Sequence, residues 1–138
     1  MKLSIKVQYA LQAVLTLALN YESGAVQIHD IARSGQIPVR FLEQLLLAMK
    51  KAGLLSSYRG MKGGYYLAKH PSEISLLDII ETLEGPIEMA SKKMKKTPVL
   101  YDMMVDAESR LKKNLQSTTV EDMVIKKRQR DRAYIYNI

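Results

Sequence analysis

The residues of this sequence best suited to chemistry are cations placed to bind phosphate. Residues 1–70 carry nine Lys and Arg side chains against three Asp and Glu, whereas residues 71–138 carry twelve against eleven. Arg59 and Lys62 lie in the glycine-rich segment Arg59-Gly60-Met61-Lys62-Gly63-Gly64. Because glycine lets a backbone approach a surface closely, this pattern predicts contacts with a polyanion such as nucleic acid. A lysine-rich face that serves only solubility is the alternative.

Other kinds of site lack suitable residues. The chain has no cysteine, which excludes disulfides, thiolate-ligated zinc, cysteine-ligated iron–sulfur clusters and a cysteine nucleophile. Imidazole ligands can come only from His29 and His70, so we predict no metal site and no cofactor. No glycine-rich phosphate loop leads into Lys-Ser/Thr, and no nucleophile motif accompanies His29. We therefore predict that the protein is not an enzyme.

Composition and hydropathy favour a globular protein outside the membrane. Hydrophobic residues make up 47% of the 138 residues and charged residues 25%, which is a common globular mixture. No run approaches the roughly 20 apolar residues needed to cross a bilayer. The first residues, with Ser4, Lys6 and Gln8, do not form the apolar stretch of a signal peptide. We expect a cytoplasmic location and no membrane partner.

Apolar periodicity predicts the helices that position the cations. It indicates a helix over residues 4–21, a short helix over 28–34 and a third helix over 38–52. The third helix has an apolar stripe formed by Phe41, Leu42, Leu45, Leu46 and Met49. A short helix, a tight turn and a longer helix are typical of the helix-turn-helix, whose second helix enters the major groove of DNA.

The basic, glycine-rich segment lies between two strand-like runs. Residues 54–58 and 65–68 predict a β-hairpin with residues 59–64 at its tip. After a helix-turn-helix, such a hairpin is a wing. The predicted fold class is therefore mainly α with a small β-hairpin wing, and a winged helix-turn-helix domain is expected over residues 1–86.

Residues 87–138 are expected to form a second unit. After a helix capped by Ser75, the pattern predicts a lysine-rich loop over residues 87–97 and a long amphipathic helix over 99–115. A short helix over 120–125, a basic run over 126–132 and a tail over 133–138 are expected to follow. A long amphipathic helix outside the winged domain predicts a homodimer, with Leu100, Met104, Ala107, Leu111 and Leu115 at its interface. A helix folded back onto its own core is the alternative.

Four side chains in the first turns of the third helix are candidates for base recognition. They are Val39, Arg40, Glu43 and Gln44. Arg40 can bind guanine or a phosphate, Gln44 can bind adenine, and Glu43 can accept a hydrogen bond from cytosine N4. An ion pair of Glu43 with Arg40 or Lys50 within the helix is the alternative.

The remaining cations near these elements are expected to contact the DNA backbone. Arg59, Gly60 and Lys62 belong to the wing and are assigned to phosphates or the minor groove. Lys2 and Lys6 lie at the start of the first helix and are assigned to phosphates.

Several motifs occur in the order and spacing of one known family. They include Met1-Lys2-Leu3-Ser4, Phe41-Leu42-Glu43-Gln44-Leu45, Ala52-Gly53-Leu54-Leu55, Arg59-Gly60 with Gly63-Gly64-Tyr65, and Leu83-Glu84-Gly85-Pro86-Ile87. Over residues 1–88 the chain resembles the bacterial Rrf-two family of winged-helix transcription regulators. The resemblance implies a dimeric DNA-binding protein with a long C-terminal dimerisation helix. It also assigns Glu43 and Gln44 to the family's base-reading positions.

The resemblance also bears on regulation. Many family members carry three cysteines between the Glu-Gly-Pro helix and the long helix, where they hold an iron–sulfur cluster. Residues 87–101 contain no cysteine, so the resemblance implies a cluster-free member. Residues 115–122 and the aromatic tail are similar to the cluster-free branch of cysteine-metabolism repressors.

In that branch, cysteine synthase controls the regulator and accepts C-termini that end in Ile. The resemblance therefore implies cysteine synthase as a partner of Tyr136, Asn137 and Ile138. A carboxylate and side chain presented together suit an anion-binding pocket. A tail that packs on the dimer is the alternative.

These patterns together predict a sequence-specific DNA-binding transcriptional regulator, most simply a repressor. It is expected to act as a dimer without an iron–sulfur cluster, in cysteine or sulfur metabolism. The alternative is a winged-fold protein-interaction module that acts through its C-terminal tail or dimer face. The basic charge of residues 1–70 favours the regulator.

Overall fold

The computed structural model describes residues 2–137, which form six helices and one β-hairpin. Their order is α1 (Ile5–Leu19), α2 (Ile28–Gly35), α3 (Val39–Lys51), β1 (Leu55–Tyr58), β2 (Gly64–Leu67), α4 (Leu76–Glu84), α5 (Pro98–Ser117) and α6 (Val120–Tyr136). Short 3-10 turns lie at Pro71–Glu73 and Lys92–Lys96, the second within the predicted loop. The predicted fold class is confirmed. In the part of the chain described, no helix is long and apolar enough to span a membrane.

Polar side chains fix where three of the helices begin. The Ser4 hydroxyl accepts a hydrogen bond from the Val7 N–H at the start of α1. Ser75 caps α4 as predicted, in a reciprocal capping box with Asp78. The same arrangement begins α6, with Thr119 in place of Ser75. Each cap satisfies backbone N–H groups that have no partner within the helix.

The hydrophobic core contains buried side chains of α1 and α3, and also of α2, the hairpin, α4 and α6. Leu42, Leu45, Leu46 and Met49 are buried as predicted, while Phe41 is half-buried at the edge of the core. From α1 the core receives Val7, Ala10, Ala13, Val14, Leu17 and Ala18. Because this core fixes one side of α3, the opposite side of that helix must face outward.

The hairpin is attached to the segment that precedes α2. Leu55 pairs with Leu67, and Tyr58 pairs with Gly64, in antiparallel register. Beyond this ladder, the Val26 N–H donates to the Tyr65 carbonyl over 2.9 Å, and the Tyr65 N–H donates to the Val26 carbonyl over 2.8 Å. These two hydrogen bonds fix the wing relative to the helix-turn-helix.

The C-terminal helix is longer than the sequence pattern indicated. The prediction of a short helix over 120–125 followed by a tail is wrong, because α6 continues to Tyr136. The Thr119 cap and an ion pair of 2.9 Å between Lys127 and Asp131, one helical turn apart, favour this continuation. The helices α1–α4 together with the hairpin are called the winged head. The first turns of α6 pack on it, since Val120 and Val124 are buried in the same hydrophobic core.

Backbone hydrogen bonds add to this contact. The Val120 N–H donates to the Ile74 carbonyl over 2.8 Å, and the Leu76 N–H donates to the Thr118 carbonyl over 2.9 Å. The start of α6 is therefore tied to the start of α4. The division of the chain at residue 86 stays a prediction.

Candidate nucleic-acid interface

The outward side of α3 presents a row of side chains suited to a DNA groove. Successive helical residues are rotated by about 100°, so Arg40, Gln44, Leu47 and Lys51 fall within an arc of about 60°. All four are exposed, and the arc lies opposite the buried side of the helix. We call these four residues the α3 stripe. Glu43 is exposed beside it.

Two contacts show which elements lie on either side of the α3 stripe. The Lys50 ammonium donates to the Ser57 hydroxyl over 2.7 Å, so the side of α3 that carries Lys50 and Glu43 faces the hairpin. On the other side, Phe41 packs edge-on against Tyr9, with ring centroids 5.6 Å apart. The stripe therefore lies between the hairpin and α1.

The candidate base-reading side chains are free to bind a ligand. Within residues 2–137, no ion pair or side-chain hydrogen bond involves Arg40, Glu43 or Gln44; the ion pairs are Asp30–Arg33, Asp106–Arg110, Glu108–Lys112 and Lys127–Asp131. The alternative of an intrahelical ion pair for Glu43 is therefore not realised. Val39 is half-buried against the core, so only part of its side chain faces outward.

Two lysines lie at or just before the start of α1, and one of them, Lys6, is on the side of α1 that meets α3. Lys6 precedes Tyr9 by three residues, which places both on the same side of α1. Since Tyr9 touches Phe41 in the first turn of α3, the half-buried Lys6 lies close to that turn. Lys2 is exposed just before α1.

The tip of the wing is exposed and cationic. Arg59, Gly60, Met61 and Lys62 all face solvent. Gly60 has a φ of +103°, a left-handed conformation that favours glycine at the point where the chain turns. The Gln27 side-chain amide donates to the Met61 carbonyl over 2.9 Å, which holds the tip against the start of α2. Arg59 and Lys62 are thus displayed on the same domain as the α3 stripe.

Two tyrosines on the hairpin were missed by the sequence reasoning. Tyr58 and Tyr66 stack with ring centroids 4.7 Å apart and an interplanar angle of 22°. Hydrogen bonds from Ser56 and Tyr58 lower the pKa of Tyr66, and the charge of Lys50 acts in the same direction. The pKa of Tyr58 is raised, chiefly by its hydrogen bond with Tyr66. Tyrosine hydroxyls can donate hydrogen bonds to phosphate oxygens. The signal in the sequence was the position of the two tyrosines on facing strands of the predicted hairpin, which makes them diagonal neighbours.

The predicted dimerisation residues lie on a helix that the rest of the chain covers poorly. None of the twenty residues of α5, all of which the structure describes, is buried. Leu100 is exposed, while Met104, Ala107, Leu111 and Leu115 are half-buried. The most exposed apolar side chains of α5 are Val99, at 73%, and Met103, at 61%. The apolar surface therefore extends beyond the predicted stripe.

The predicted partner-binding tail is exposed where it is described. Tyr136 is 87% exposed at the end of α6, and Asn137 follows it. Ile138 lies outside the described residues.

Comparison with known proteins decides the family. The Rrf2 (Rrf-two) family model, described as an iron-dependent transcriptional regulator, matches residues 3–126. The chain belongs to the Rrf2 family. Its relatives are transcriptional regulators with a DNA-binding helix-turn-helix, so the predictions of a regulator rather than an enzyme are confirmed.

One sequence relative matches over the whole chain, and two solved structures match over about nine tenths of it. The HTH-type transcriptional regulator CymR of Bacillus subtilis (strain 168) is 33% identical over 138 residues, covering 100% of both chains. The structure of CymR, the global cysteine regulator of B. subtilis, superimposes with a TM-score of 0.76 over 90% of this chain and 96% of the other. IscR of T. potens, also 33% identical, superimposes with a TM-score of 0.74 over 91% and 88%.

The iron dependence in the family description does not fit the residues of this chain. An iron–sulfur cluster in proteins is held mainly by cysteine thiolates, and the sequence has none. Within residues 2–137, no three His, Asp or Glu side chains are grouped so as to hold a metal ion. The segment over residues 87–101 carries four lysines instead, and their charge repels a cation.

Proposed function

We propose that this Rrf2 regulator is a repressor that binds duplex DNA sequence-specifically as a homodimer in the cytoplasm, without an iron–sulfur cluster. The observation that carries the proposal is the exposed side of α3, where Arg40, Glu43 and Gln44 are free of partners within residues 2–137. A carboxylate on a surface that meets DNA repels phosphate, so Glu43 is useful there mainly if it reads a base.

Each candidate residue of the interface has a role in this proposal. Arg40 binds guanine or a phosphate and Gln44 binds adenine, while Glu43 accepts a hydrogen bond from cytosine N4. The wing residues Arg59, Gly60 and Lys62 approach the DNA backbone or the minor groove, Lys2 and Lys6 bind phosphates, and Val39 contributes the outer part of its side chain. The backbone contacts set the register in which the bases are read.

The homodimer is supported by α5. A helix of twenty residues with none buried leaves Val99, Leu100 and Met103 in solvent, which is costly for a single chain. A second copy of α5 would cover these residues, together with Met104, Ala107, Leu111 and Leu115. Two heads held on one dimer match a DNA site with two related halves.

A role in cysteine or sulfur metabolism is supported by the likeness to CymR over the full chain. We extend the proposal to cysteine synthase as a partner of the tail. Tyr136 and Asn137 are exposed, so they are accessible to a second protein. Ile138 is included in this proposal on the sequence resemblance.

Selection from a pool of random duplexes tests the proposal. The purified protein should enrich a sequence with two symmetry-related halves, and sedimentation should show a dimer. The selection is repeated with cysteine synthase, and with a variant truncated after Ile135. An unchanged selection in the presence of the enzyme would remove it as a partner. A protein that enriches no sequence but binds the enzyme through its tail would instead be an interaction module.

A further inference from the structure

The α3 stripe contains one apolar residue, Leu47, which the base-reading roles above do not use. Leu47 is 49% exposed, although it lies among polar and charged neighbours. It follows Arg40 by seven residues, so the two side chains differ by only about 20° around the helix axis. Leu47 therefore lies near the centre of the side of α3 that faces away from the core.

The position of Leu47 along α3 also matches a known way of reading the major groove. The recognition helix of homeodomains contacts DNA with residues at i, i+3, i+4 and i+7. Counted from Arg40, all four of these positions are exposed in α3, and the last of the four is Leu47; Lys50 and Lys51 follow it in the final turn. A groove that admits Arg40 and Gln44 therefore also brings DNA close to Leu47.

A leucine side chain can contact only one type of group in that groove. Its side chain has no hydrogen-bond donor or acceptor, so it cannot pair with the polar edge of a base. Among the four base pairs, the apolar group displayed in the major groove is the 5-methyl of thymine. Arg40 and Lys51 lie along the same stripe and favour a polyanion over an apolar protein surface.

We propose that Leu47 contacts the 5-methyl group of a thymine in each half of the DNA site and so determines sequence preference at that base pair. This inference rests on the proposed function, since it needs a DNA site that α3 reads. The contact buries about one methyl-sized apolar group on the DNA, which corresponds to about a fourfold change in Kd.

Uracil substitution tests this contact, because uracil lacks only the 5-methyl group. Each thymine of the selected duplex is replaced by uracil in turn, and Kd is measured by fluorescence anisotropy at fixed salt. The wild-type protein should bind about fourfold more weakly when the contacted thymine of either half-site is replaced. Leu47→Ala should bind the thymine and uracil duplexes equally at that position.

Lys51→Ala is the matched control from the same stripe. It should lose affinity for all duplexes alike and keep the preference for thymine over uracil. The inference is overturned if the wild-type protein tolerates every uracil, or if Leu47→Ala keeps the preference. In either case, enrichment of a specific duplex in the selection would still support the proposed function. A protein that enriches no sequence overturns both.

Discussion

Gly64→Ala is expected to detach the wing from the helix-turn-helix. Gly64 has a φ of +145°, and a Cβ built there would lie 2.3 Å from the Val26 carbonyl oxygen. To make room, the backbones of Val26 and Tyr65 must separate, which breaks hydrogen bonds of 2.9 and 2.8 Å. At about 1 kcal/mol for each bond, and about 1–3 kcal/mol for the strained backbone, unfolding free energy should fall by about 3–5 kcal/mol.

Thermal unfolding followed by circular dichroism measures this loss, which corresponds to a fall in Tm of about 10–20 °C for a chain of this size. Gly24→Ala is the control, because Gly24 also has a positive φ, of +98°, but a Cβ there meets no atom within 4 Å. Gly24→Ala therefore measures the cost of an alanine at positive φ without a steric clash. If Gly64→Ala costs no more than Gly24→Ala, the reasoning that Val26 holds the wing is refuted.

Three further variants test other parts of the account. Lys62→Ala should weaken binding to all duplexes alike and lower the slope of log K against log salt by about one unit, whereas an altered base preference would contradict a phosphate contact. Met103→Glu should dissociate the dimer in sedimentation, because it places a charge on the apolar side of α5; a dimer of unchanged stability would place the interface elsewhere. Val124→Ala should lower unfolding free energy by about 2 kcal/mol while unfolding stays a single transition, and a separate early transition would show that α6 is not part of the common core.

Local patterns made much of the head predictable. The spacing of Leu42, Leu45 and Met49 indicates the buried side of α3, and a buried side determines the exposed one. Ser75 could be recognised as a cap because its hydroxyl and the Asp78 carboxylate have the spacing of a capping box. The hairpin followed from a glycine-rich segment between two strand-like runs.

Contacts between distant segments could not be predicted in this way. The pairing of Val26 with Tyr65 joins residues far apart in sequence, and a single bridge has no periodicity that would reveal it. For α6, the basic run over residues 126–132 was taken to end the helix and to precede a tail over residues 133–138. The Thr119 cap and the spacing of Lys127 and Asp131 already favoured a helix there. Leu47 was overlooked because only the first turns of α3 were considered for base recognition, and Leu47 lies in a later turn.

The central claim is that the exposed side of α3 reads bases, and base preference at Glu43 tests it most directly. The selected duplex and its single base-pair variants compete for the wild-type protein and for Glu43→Ala. Glu43→Ala should lose about 1–3 kcal/mol of discrimination at one base pair in each half-site and keep its preferences elsewhere. An unchanged ranking of all the duplexes would contradict it.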